Sequence, residues 1–145
     1  MTYDFKLSCT LPASPEAVYD AWLDSASHTA MTGAGAKINN RVGGAYSAWD
    51  GYITGKTVEL IPSKRIVQSW RTTQFGDNHP DSTIVVELAP AKTGARLTLT
   101  HSGVPDGQTS YENGGWQDNY FAPMKVYFAR RKTQRRPAGK TPRTV

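Results

Sequence analysis

Between Ala36 and Ser102, turn-forming residues recur at short intervals and cut the chain into runs of strand length. The separators are Gly43-Gly44, Asp50-Gly51, Pro62 to Lys64, Gly76 to Pro80 and Pro90 to Gly94. Glycine and proline with short polar side chains fit such corners because they adopt or pre-set turn dihedrals at little cost. The runs left between them are 36–39, 45–50, 53–60, 65–72, 82–89 and 95–102. Six close-spaced strands imply an antiparallel meander. Alternation assigns their faces: Leu97, Leu99 and His101 share one side, as do Ile84, Val86 and Leu88, and likewise Ile66, Gln68 and Trp70. A continuous inner face across at least three strands follows.

Both flanks of the meander change period. Tyr3, Phe5, Leu7, Cys9 and Leu11 alternate with Asp4, Lys6, Ser8 and Thr10, the pattern of a half-buried strand rather than of a secretory signal. Ser14 supplies an N-cap and Pro15 a first helical residue, so a helix is expected to about Leu23. Asp24 and Ser25 interrupt it, and a second short helix fits from Ser25 to about Met31, before Gly33 and Gly35. After Gly114-Gly115, a spacing of about 100° per residue gathers Trp116, Tyr120, Phe121, Met124, Tyr127 and Phe128 into one arc. This is a long helix with an aromatic stripe. Pro123 interrupts its backbone bonding and predicts a kink over 119–123.

The 145 residues suit one domain, and no apolar run approaches the roughly 20 residues of a membrane span. The net charge of +5 is unevenly placed. All 12 acidic residues precede Arg130, where they meet ten basic ones; the other seven basic residues lie between Arg130 and Arg143. One folded domain over 1–131 and a basic, disordered tail over 132–145 are therefore expected. Cys9 is the only cysteine, which rules out an intrachain disulfide and suits a reducing, cytoplasmic setting.

Longer runs carry a family resemblance. Gly43-Gly44-Ala45-Tyr46-Ser47-Ala48-Trp49-Asp50-Gly51-Tyr52-Ile53-Thr54-Gly55, then Glu59-Leu60-Ile61-Pro62 and Arg65-Ile66-Val67-Gln68-Ser69-Trp70-Arg71, resemble the activator of heat-shock-protein-90 ATPase homologue family. That family belongs to the START-like (SRPBCC) superfamily. Leu97 to Pro105, Gly115-Trp116-Gln117 and Tyr120 to Lys125 agree with it, so the likeness spans about 5–128. It is to the C-terminal domain of the eukaryotic activator and to stand-alone bacterial relatives. It implies an α+β helix-grip (START-like, Bet v 1-like) fold: a curved antiparallel sheet around a long C-terminal helix, with two short helices after the first strand. The superfamily includes lipid and hormone carriers and polyketide cyclases, which share a cavity rather than one set of reacting residues, so function does not follow from fold alone.

In this fold the aromatic stripe faces the concave side of the sheet. Tyr46, Trp70, His101, Trp116, Tyr120, Phe121 and Met124 become candidate ligand-binding residues, an apolar lining with a few polar tips suited to a small hydrophobic or aromatic molecule. His101 is the inward polar residue. Catalysis by a cyclase- or hydrolase-like reaction would join it to Asp50 or Glu59, although Asp50-Gly51 also reads as a turn and Glu59 as an outward residue. The leading expectation is a binding protein with no catalytic residues and no cofactor. His28, His79 and His101 lack metal-ligand spacing. A chaperone-associated role is the family's alternative, and the basic tail could bind a polyanion weakly.

Overall fold

The computed structural model describes the backbone over residues 2–140 and side chains as far as residue 131. The chain begins with β1 (Thr2–Leu11), α1 (Pro15–Leu23) and α2 (Ser25–Thr32). Local chemistry sets these ends. The Ser14 hydroxyl accepts the Ala17 N–H at 3.1 Å, the Asp24 carboxylate accepts the Ser27 N–H at 2.8 Å, and Gly33 closes α2 in the left-handed region at φ 82°.

The remaining strands are β2 (Lys37–Ile38), β3 (Ala45–Ala48), β4 (Ile53–Ile61), β5 (Arg65–Thr72), β6 (Ser82–Ala91) and β7 (Gly94–Pro105). They form one curved antiparallel sheet in the order β1-β7-β6-β5-β4-β3-β2, so the first strand closes on the last. The fold is the helix grip expected from the resemblance. Registers align the inner rows: Phe5 lies opposite His101, which lies opposite Ile84, which lies opposite Gln68. Leu7, Leu99, Val86 and Ile66 form the next row. Register shifts at Tyr3/Phe5 and Thr57/Glu59 mark bulges, which increase local twist and bend a strand around the interior.

One close approach fixes a glycine. Tyr46 crosses β4 to donate its hydroxyl to the Ser69 carbonyl at 2.7 Å, and it passes over Gly55 to do so. A Cβ there would collide with the Ser69 carbonyl oxygen and press on the Tyr46 ring.

The C-terminal segment does not begin as a plain α-helix. Tyr111–Gly115 is a wide turn broken at Asn113 and Gly114, Gln117–Phe121 is wound as a π-helix, and α3 runs Ala122–Lys140. The Ala122 N–H reaches back five residues to the Gln117 carbonyl, so the backbone has already left α register when Pro123 arrives without an N–H. The kink expected over 119–123 takes the form of this wide winding. Phe121, Met124 and Phe128 enter the core against the sheet. α3 carries the backbone of 132–140, within the stretch expected to be a disordered tail, while the side chains of 132–145 and the backbone of 141–145 lie outside the described residues.

Candidate functional site

Two buried hydrogen-bonded chains support the inner wall. In the first, Trp116 Nε1–H donates to His101 Nδ1 at 3.2 Å. An indole can only donate, so Nδ1 is the accepting nitrogen and the proton sits on Nε2. That Nε2–H faces Ser82 Oγ at 2.9 Å, and the Ser82 hydroxyl donates to the Trp70 carbonyl at 2.6 Å. Each member has one defined role. Burial without a nearby anion strong enough to offset it lowers the His101 pKa to about 3, so the ring stays neutral.

The second chain uses the opposite tautomer. His28 Nδ1–H donates to the Trp22 carbonyl at 2.9 Å, leaving Nε2 to accept the Tyr120 hydroxyl at 2.8 Å. Trp22 Nε1–H continues to Gln68 Oε1 at 3.2 Å, and the Gln68 amide to Thr57 Oγ1 at 3.3 Å. Burial lowers the His28 pKa and raises that of Tyr120 well above the ordinary phenol value. Ring contacts join the two chains: Trp116 and Tyr120 have centroids 5.0 Å apart, Trp70 and His101 4.6 Å, and Trp22 stacks on Tyr120 at 5.2 Å.

In front of this wall lies a cavity of about 370 Å³. Its aromatic lining is Trp49, Tyr52, Trp70, Tyr111, Trp116 and Tyr120, with Ile53 between them. Ser110, Asn113, Asp118 and Asn119 edge the side formed by the wide turn. A broader hollow of about 1260 Å³ lies elsewhere, between α1, the β6–β7 turn and α3, and its Ser14 and Asp24 groups are already engaged as helix caps. Convergence of aromatic surface with polar groups favours the smaller cavity as the site.

Of the seven residues singled out in the sequence, Trp70, Trp116 and Tyr120 line this cavity. His101 stands behind Trp116, Tyr46 is committed to the Ser69 carbonyl, and Phe121 and Met124 are buried in the core. Sequence reasoning missed Trp49, Tyr52 and Tyr111. Trp49 and Tyr52 flank Asp50-Gly51, and Tyr111 shortly precedes Gly114-Gly115, so large aromatics beside turns were the available signal. Trp49 also holds φ at 53°, an uncommon left-handed conformation for a bulky residue and a mark of constrained backbone at the cavity.

No catalytic pair forms around His101. Asp50 Oδ1 accepts the Gly35 N–H at 2.8 Å, and Glu59 pairs with Arg65 at 3.0 Å on an exposed part of the sheet. Ser82 does not offer its proton to the imidazole, because that proton is directed to the Trp70 carbonyl. Cys9 is half-buried, and burial pushes its thiol up to about 11, away from the reactive thiolate. Among the described residues, no three His, Cys, Asp or Glu side chains gather as a metal site, and no helix is long and apolar enough to cross a membrane.

Residues 12–129 match the family described as Activator of Hsp90 ATPase homolog 1-like protein. The chain belongs to that family. It is 31% identical over 128 residues to an uncharacterized protein of Schizosaccharomyces pombe, covering 88% of this chain and 38% of that protein. It is 28% identical over 127 residues to the human activator of 90 kDa heat shock protein ATPase homolog 1, covering 88% of this chain and 37% of the relative. The chain therefore spans little more than a third of these relatives' lengths. A crystal structure of an HSP90 activator from Plasmodium falciparum superposes with a TM-score of 0.78 at 26% identity, covering 86% of this chain and 94% of that one.

Proposed function

We propose that this domain binds a small hydrophobic or aromatic molecule in the cavity between the sheet and the C-terminal helical segment. The observation that carries the reading is the concentration of six aromatic side chains around about 370 Å³ of space, against a wall whose polar groups are paired internally. Large flat rings offer contact area at low conformational cost, and such a volume lies in the range of small-molecule sites. Trp49, Trp70 and Trp116 make the test direct. Titration of tryptophan fluorescence with flat phenolic and lipid-like compounds should give saturable changes for at least one class. Absence of saturable binding across the panel, repeated by calorimetry, would overturn the reading.

Membership of the family favours a second reading, association with a chaperone. Relatives named as activators of the 90 kDa heat shock protein ATPase share 28% identity with this chain, but over only 37% of their own length. The test is binding to the 90 kDa heat shock protein at micromolar concentration, followed by its ATPase rate. No binding and no rate increase would remove this reading. The cyclase or hydrolase alternative has less support, since neither Asp50 nor Glu59 reaches His101. The proposals of a cytoplasmic setting and of weak polyanion binding by the basic tail rest on the single cysteine and on the charge distribution.

A further inference from the structure

We propose that the molecule this cavity takes is an organic cation, a quaternary ammonium or amine carrying a compact apolar or aromatic group. This rests on the cavity being a ligand site and adds the sign of the ligand's charge.

The first step concerns what the rings leave for a guest. Tyr52 donates its hydroxyl to Gln74 at 2.7 Å, Tyr111 to Gln108 at 2.6 Å, and Tyr120 to His28 at 2.8 Å. Trp116 donates its indole N–H to His101. With these hydroxyls and the indole N–H already donating to protein groups, the walls offer mainly ring carbon and π-electron density. Trp70 stands 5.0 Å from Tyr111 and 5.6 Å from Trp116 by ring centroids, and Tyr120 continues the row, so several rings border one small volume.

The second step is the charge of the wall. Among the described residues, Asp118 is the one charged side chain on it, exposed at the edge where the wide turn meets the cavity. Gly114, at φ 106°, gives that carboxylate room: a Cβ at Gly114 would stand 3.1 Å from an Asp118 oxygen. No lysine, arginine or histidine lines the cavity among the described residues. An anion would therefore meet electron-rich rings and a carboxylate with no cation to hold it. A neutral molecule would gain apolar contact alone. A cation gains that contact, attraction to the ring quadrupoles and attraction to Asp118.

The experiment compares two molecules of the same shape, phenyltrimethylammonium and its uncharged isostere tert-butylbenzene, by fluorescence and calorimetric titration of the full chain. The expected result is affinity about tenfold or more in favour of the cation. Asp118→Asn, at an exposed position, should weaken the cation a few-fold and leave the hydrocarbon unchanged. Equal or tighter binding of tert-butylbenzene would overturn the cation and leave the cavity as an apolar site. Binding of other compounds in the panel but of neither isostere would also overturn it. Silence from the isosteres and the whole panel would remove the cavity reading as well.

Discussion

Replacement of His101 by glutamine isolates what burial of a neutral imidazole contributes to stability. The folded His101 has a pKa of about 3, against 6.5 for the unperturbed group. A depressed folded-state pKa means that the unfolded chain takes up the proton first as pH falls. The stabilisation is thus fully present above about pH 6.5 and is lost progressively down to about pH 3. Each pH unit within that window costs about 1.4 kcal/mol, so lowering pH from about 7.5 to about 5 removes about 2 kcal/mol through this residue. Glutamine keeps one donor and one acceptor but does not titrate. It cannot span Ser82 and Trp116 as the ring does, so the variant should be about 1–3 kcal/mol less stable near neutrality. Its stability should nevertheless fall by about 2 kcal/mol less than the parent's over the same pH interval. His28, also depressed by burial, remains in both proteins and largely cancels. Urea unfolding at the two pH values measures the difference. Parallel pH dependence in parent and variant would refute the assignment of His101 as a buried, neutral, doubly bonded ring.

Other outcomes follow from the same geometry. Tyr120→Phe removes the donor to His28 Nε2 and should cost about 1–2 kcal/mol in urea unfolding, whereas an unchanged midpoint would show that water replaces the hydroxyl. Gly55→Ala forces the Ser69 carbonyl and the Tyr46 ring apart and should cost at least about 1–3 kcal/mol, read as a lowered melting temperature; a neutral result would mean that β4 and β5 separate freely. Deletion of 132–145 should leave melting and cavity binding unchanged, because Phe128 is the last buried side chain among the described residues, while reducing retention on heparin at low salt. Full retention after deletion would place any polyanion binding outside the tail.

Much of the fold was legible because its elements obey local rules. Ser14-Pro15 marked the start of α1 to the residue, and alternation identified the inner positions of β5, β6 and β7, all of which are buried. Strand ends were less legible. The run 36–39 reduces to Lys37–Ile38, and the run 95–102 extends to Gly94–Pro105 because β1 pairs along it. Pairing between the first and last strands is a tertiary event with no local signature. The break expected from Pro123 was visible, but its form was not. The π winding depends on which carbonyl the Ala122 N–H reaches, and it accompanies the burial of both Tyr120 and Phe121 in the core, a tertiary feature with no local signature.

The candidate site was legible only where strand or helix phase placed a side chain. Phase picks out Trp70, Trp116 and Tyr120 as inward, yet it cannot separate the cavity wall from the core behind it, and so groups them with Tyr46, His101, Phe121 and Met124. Trp49, Tyr52 and Tyr111 lie in or beside turns, where no period exists to read. His28 has no metal-ligand spacing to single it out in the sequence, yet its ring joins Trp22 to Tyr120 in the second buried chain. The two histidines use opposite tautomers for the same physical purpose. Each satisfies a polar tip of a cavity aromatic from behind, so that Trp116 and Tyr120 can border the cavity without burying an unpaired donor. The apolar character of the cavity is therefore produced by polar residues outside it. This explains why an aromatic-rich stretch of sequence marks the neighbourhood of the candidate site and strand phase turns His101 inward, while the supporting roles of His101 and His28 show only in the folded chain.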